Sequence, residues 1–108
     1  MYMLILLFIL FCGNAFGQIK AKYFNAAWNN ANDVDWFMSL QDCGTKDFTD
    51  IGKDKEAQVK YKIAVIPTII IFKDGEEVAR FQADLSFKMV ATKEEVQEEI
   101  DNQLMSDF

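Results

Sequence analysis

The chain contains a single proline, and it stands directly before the longest β-branched run in the sequence. Ile63-Ala64-Val65-Ile66 leads to Pro67, and Thr68-Ile69-Ile70-Ile71-Phe72 comes after it. Proline cannot donate to a sheet ladder, so Pro67 suits the head of a strand rather than its interior. The run after it is apolar without alternation, which fits a strand buried on both faces. Such a strand requires cover on both sides, so helices must flank the sheet that contains it. Lys73-Asp74-Gly75-Glu76 carries the Asp-Gly turn signal, and Glu77-Val78-Ala79-Arg80-Phe81 reads as the returning antiparallel strand.

The rest of the chain supplies the other layers. Ile19–Asn25 reads as a strand, its apolar residues increasing toward the end. Asn and Asp residues between Asn29 and Asp33 are good N-caps. Ala31, Val34, Phe37, Met38 and Gln41 then recur at helical spacing, which predicts a helix to about Leu40, ended by Cys43-Gly44. Phe48–Ile51 is a short strand. Asp54 caps a small helix over Lys55–Tyr61. Thr92-Lys93-Glu94-Glu95 is a capping box, opening a helix with Val96, Ile100 and Leu104 on one face and Glu94, Glu98 and Asp101 toward water. Residues 82–91 carry no regular pattern. The expected fold is α/β, a four-stranded mixed sheet with helices on both faces.

Composition narrows the chemistry. Lys and Arg number 11 against 17 Asp and Glu, so no basic footprint for nucleic acid exists. The chain has no His, which removes Ser-His and Cys-His pairs and every His-ligated metal site. Two Cys cannot build a cysteine zinc site. The four Asn between Asn25 and Asn32 are neutral amides without paired carboxylates, a poor metal site; no metal or cofactor is implied.

Residues 1–17 carry no charged side chain, and Tyr2–Cys12 is nearly all apolar. This run is short for a membrane span, which takes about 20 residues. Its length suits a signal-peptide core, and Ala15-Phe16-Gly17 offers small residues for cleavage before Gln18. The expected organisation is a leader over 1–17 and one domain over 18–108, with the mature chain exported to a periplasm or secreted and holding no membrane span. The leader lacks a basic start, and a buried first strand is the alternative reading. Lipidation at Cys12 would place bulky Phe11 before the modified residue.

The segment Tyr61-Lys62-Ile63-Ala64-Val65-Ile66-Pro67-Thr68-Ile69-Ile70-Ile71-Phe72-Lys73-Asp74-Gly75, with Phe24-Asn25-Ala26-Ala27-Trp28 upstream, resembles the thioredoxin-fold family. The resemblance covers Ile19 to about Leu104 and implies a minimal thioredoxin-like fold without the family's first strand and helix. The family carries Trp-Cys-Gly-Pro-Cys where this chain has Trp28-Asn29-Asn30-Ala31-Asn32. Asn29 and Asn32 thus match the two cysteines, and Tyr23 matches a buried acid that moves protons. A carboxamide cannot attack a disulfide, so the resemblance does not carry the family's activity with it. It also implies a cis Ile66-Pro67 bond, which would lie beside Trp28, Asn29 and Asn30 and pair with an extended substrate chain.

Cys43 remains after processing. On the predicted helix it lies about 15–20 Å from Asn29 at 1.5 Å rise per residue, too far to replace a motif cysteine. It reads as a small hydrophobe or as a thiol free to pair with another chain. Two function classes remain open. One is a redox-inactive module binding an extended peptide or partner protein through Trp28, Asn29, Asn30, Ile66 and Pro67. The other is a divergent thiol-disulfide oxidoreductase using Cys43 or a partner's cysteines.

Overall fold

A computed structural model describes residues 18–106. The expected leader, Cys12 included, lies outside them. Four strands form one sheet: β1 Ile19–Asn25, β2 Thr45–Asp50, β3 Thr68–Lys73 and β4 Glu76–Gln82. Their order is β2-β1-β3-β4. β1 runs parallel to β2 and antiparallel to β3, while β3 and β4 form an antiparallel hairpin. The sheet is therefore mixed, as the order of elements predicted. The hairpin turns through Asp74 (φ 53) and Gly75 (φ 85), the two left-handed residues that a tight hairpin of right-twisted strands demands.

Strand alternation splits the core in two. Ile19, Ala21 and Tyr23 face one side of the sheet, where they pack with Ile69, Ile71, Val34, Phe37 and Leu40. Helix α2, Lys93–Met105, lays Val96 and Ile100 on that side, both fully buried. Its capping box is formed by Thr92 and Glu95. Phe24 and Ile70 face the other side, where they meet Ala57 of helix α1, Lys55–Lys60, together with Ile51, Ile63 and Ile66. Asp54 caps α1 by accepting from the Ala57 N–H at 3.0 Å. Ile69, Ile70 and Ile71 are all fully buried, so the unalternating run is covered on both faces.

Two expectations change. β2 begins at Thr45, three residues before the sequence suggested, because its ladder with β1 starts at Lys20↔Thr45 and takes in polar residues. The larger change lies between β1 and β2. The helix expected to run to Leu40 is replaced by two 3-10 segments, Ala27–Asn32 and Phe37–Ser39. Asp33 between them is extended (φ −63, ψ 147). Asn and Asp side chains compete for local hydrogen bonds and so disfavour helix interiors. Here the Val34 N–H donates to the Tyr23 hydroxyl at 2.9 Å rather than to a helical carbonyl. The apolar spacing still places Val34, Phe37 and Leu40 in the core, on a path that is not α-helical.

Candidate functional site

The antiparallel ladder sets Phe24 opposite Thr68. The end of β1 and the start of β3 therefore share one end of the sheet, and the chain leaving β1 at Asn25 passes near the chain entering β3 at Pro67. The Ile66-Pro67 bond is cis. Both residues are buried. The Pro67 carbonyl accepts from the Ala83 N–H at 3.0 Å. Ala83 also bridges Met89, closing the loop between them over this end.

That loop reaches the first 3-10 segment. The Asp84 carboxylate accepts from the Ser86 N–H at 2.8 Å and the Ser86 hydroxyl at 2.5 Å, and these bonds hold its pKa below the usual carboxylate value. The turn sets Phe87 at φ 63, a region bulky residues rarely occupy. Phe87 stands edge-on to Trp28 with ring centroids 5.2 Å apart. Trp28 is 68% exposed and Phe87 40%, an aromatic pair facing solvent.

Beneath Trp28 runs a chain of polar side chains. Asn32 donates to Asn29 Oδ1 at 3.0 Å. Asn29 Nδ2 donates to Asn25 Oδ1 and to the Phe87 carbonyl, each at 3.1 Å. Asn25 Nδ2 donates to the Tyr23 hydroxyl at 3.1 Å and to Asp33 at 3.2 Å. Tyr23 donates to Asp33. Burial, and secondly the bond to Asp33, raise the Tyr23 pKa well above that of an ordinary phenol. Asn25 and Asn29 are buried, and no buried side-chain nitrogen or oxygen among the described residues lacks a partner. Asn30 is exposed, and its carbonyl accepts from the Asp33 N–H at 3.1 Å.

The structure thus links Trp28, Asn29 and the strand behind Pro67 through the loop at Phe87. Cys43 takes no part. With the α-helix absent it sits in the segment after Phe37–Ser39, its sulfur 3.7 Å from the Gln41 carbonyl. Burial raises its pKa, which keeps it a thiol. Among the described residues no group of three potential ligands could hold a metal ion, and no helix is long and apolar enough to cross a membrane.

The arrangement has counterparts among solved structures. Thioredoxin from Fasciola hepatica superposes with a TM-score of 0.57 over 90% of this chain and 90% of its own, at 25% identity. Thioredoxin from Schistosoma mansoni gives 0.61 over 79% of this chain and 76% of its own, at 24% identity. Thioredoxin 1 from Thermosipho africanus gives 0.61 over 82% and 97%, at 17% identity. The chain has a thioredoxin-like fold. No family model and no curated protein matches it in sequence.

Within that fold, the sequence singled out Trp28, Asn29, Asn30, Asn32, Ile66 and Pro67, and gave no role to Asn25, Asp33 or Phe87, which the structure joins to Asn29 by hydrogen bonds directly or through Asn25. Asn25 lies within the Phe24–Trp28 segment and Asp33 directly follows Asn32, and neither was marked as a matched site position. Phe87 lies 58 residues from its partner Asn29. Its one signal was the Asp84-Leu85-Ser86-Phe87 sequence, a turn-forming Asp with an aromatic three residues on, in an otherwise irregular stretch.

Proposed function

We propose that the domain is a redox-inactive thioredoxin-like module that binds an extended peptide or a partner protein beside Trp28. The observation that carries this reading is the bonding of Asn29. Its amide and carbonyl are both committed to neighbours, and Asn32 is one of them. These are the two positions that match the family's cysteines. A hydrogen-bonded carboxamide supplies no thiolate, and disulfide exchange requires one. Tyr23 matches the family's buried acid, yet it holds its proton more tightly than a free tyrosine does. Cys43 is shifted away from thiolate character.

What supports binding is the surface left over. Trp28 and Phe87 present apolar area, and the buried Ile66-Pro67 step lies at the same end of the sheet. An extended chain would add there by main-chain hydrogen bonds, with Asn30 at the rim. Affinity is modest, because one short strand must offset its own ordering entropy. The apolar segment before Gln18 favours a role in an exported protein, periplasmic or secreted.

An insulin-reduction assay with dithiothreitol tests the redox half. The wild type matches the dithiothreitol background, and turnover above it ends the reading. Asn29→Cys with Asn32→Cys restores partial activity at best, since Tyr23 stays in the acid position. Selection from a random-peptide display library tests the binding half. Trp28→Ala loses the selected peptides while keeping the wild-type melting temperature; full retention of binding moves the site elsewhere.

A further inference from the structure

The two faces of the sheet are covered unequally. On the Phe24 face, α1 and the residues after it cover Phe24 and Ile70, with Tyr61 and Phe72 partly buried at the border of that cluster. Beside them on the same face lie Lys22, across the ladder from Ile70, and Lys20, across from Phe72. Above them is an open groove of about 710 Å³. Lys20, Lys22, Lys60, Tyr61 and Phe72 line it, with Asp74 at its rim.

The charges there run against the rest of the molecule. The whole chain carries a net −6, yet the groove sets three lysines against one lining carboxylate. The Lys22 and Lys60 ammonium groups each lie 5.3 Å from the centre of the Tyr61 ring. Lys22 also meets Asp47 at 3.5 Å. The Lys20 ammonium has no ion-pair or hydrogen-bond partner among the described residues. The Asp74 carboxylate is turned to the Gln18 N–H at 3.1 Å. Five of the chain's 17 acidic residues lie on α2, against the opposite face. Like charges are thus gathered over an aromatic floor and left without enough counter-charge.

We propose that this groove binds a small amphiphilic anion, with its charged head between Lys20 and Lys60 and its apolar body against Tyr61 and Phe72. The volume falls in the range of small-molecule pockets and exceeds what a bare inorganic ion fills. Phe72 and the lysine stems supply apolar area, and the ammonium groups supply the charge that orients the ligand. This site is separate from the Trp28 surface and does not depend on that reading.

The test titrates the full chain with 2-naphthalenesulfonate, monitored by NMR shift changes and equilibrium dialysis. Neutral 2-naphthol and inorganic sulfate serve as controls that lack the charge or the body. The expected result is saturable binding of one naphthalenesulfonate per chain, with shifts confined to Lys20, Lys22, Lys60, Tyr61 and Phe72. Each control binds at least tenfold more weakly. Lys20→Glu with Lys60→Glu weakens naphthalenesulfonate at least tenfold. Lys20→Gln with Lys60→Gln weakens it less, and Tyr61→Ala weakens it with the charges left in place. Circular dichroism and melting of every variant accompany the titrations. Equal binding of 2-naphthol, indifference to charge reversal in a folded variant, or shifts centred on Trp28 would overturn the proposal. A dimer dispersed by the Lys20→Glu, Lys60→Glu variant would overturn it too, giving the groove to the acidic face of a second copy.

Discussion

The two ends of β1 meet opposite fates. At its C-terminal end, Tyr23 and Asn25 enter a chain of side chains in which each polar group has found another. At its N-terminal end, Lys20 and Lys22 look into an open groove where cations outnumber carboxylates. The first end is rich in residues of the kind that populate active sites, yet its hydrogen-bonding capacity is spent internally. The second contains nothing that sequence motifs flag, yet it has charge to offer. Chemical reactivity and ligand binding depend on what remains unsatisfied, so the identity of the polar residues decides less than their partners do.

If the C-terminal end is a structural network, breaking it should cost more than any change in the groove. The largest effect is expected from Tyr23→Phe. It leaves the buried Val34 N–H without its acceptor and leaves the Asn25 amide only Asp33 to donate to. One stranded donor and one lost bond should cost about 2–3 kcal/mol, measured by urea denaturation. The same hydroxyl predicts an alkaline limit. A folded pKa raised above the unfolded value means that the native state holds its proton more tightly. This contribution is fully present below about pH 10, the pKa of a free tyrosine. It is lost as pH rises past that value toward the folded pKa. Wild type should lose stability in that window, and Tyr23→Phe should lose less. Parallel alkaline curves for the two proteins would place the hydroxyl outside the network.

Asn29→Ala comes next. It strands the Asn25 carbonyl and frees the Phe87 carbonyl, while the partly exposed Asn32 can rehydrate. The expected loss is about 1–2 kcal/mol. A second consequence separates this change from a generic core lesion. The bond to Phe87 ties the loop over Trp28, so amide exchange should quicken at Phe87 and Lys88 before the rest of the molecule opens. Unchanged exchange there would mean that the Asp84 turn alone sets the loop.

The reach of sequence reasoning obeys the same divide. The Thr68–Phe72 strand, the Asp74-Gly75 turn and the Thr92 capping box were legible because each is dictated by neighbours a few residues apart. The mixed sheet followed from the order of those elements. The 3-10 path through Asn29 and Asp33 was not legible, since Ala31, Val34, Phe37 and Met38 carry helical spacing while the competing bonds run between side chains and to the Tyr23 hydroxyl, eleven residues from Val34. The link from Asn29 to Phe87 spans 58 residues and joins a side chain to a backbone carbonyl, which leaves no residue-type signature. The lysine groove escaped for another reason. Lys20 and Lys60 lie on different elements, and only the sheet face and α1 together bring them to one cavity.

The smallest effect is expected from the groove itself, and this makes it the sharpest control. Lys20→Ala with Lys60→Ala removes two exposed cations, and Lys60 gives up only its position over Tyr61. Exposed substitutions of this kind usually fall within about ±0.5 kcal/mol. Crowded like charges also repel each other, which pushes the expected change toward zero or toward slight stabilisation. The decisive quantity is its response to salt. If the groove holds unneutralised charge, wild type should gain stability between low and moderate ionic strength as repulsion is screened, and the double variant should gain less. Comparing urea midpoints at two salt concentrations measures this directly. A destabilisation as large as that of Tyr23→Phe would mean that the lysines are knit into the fold like the residues at the other end of β1, and the contrast between the two ends would be gone.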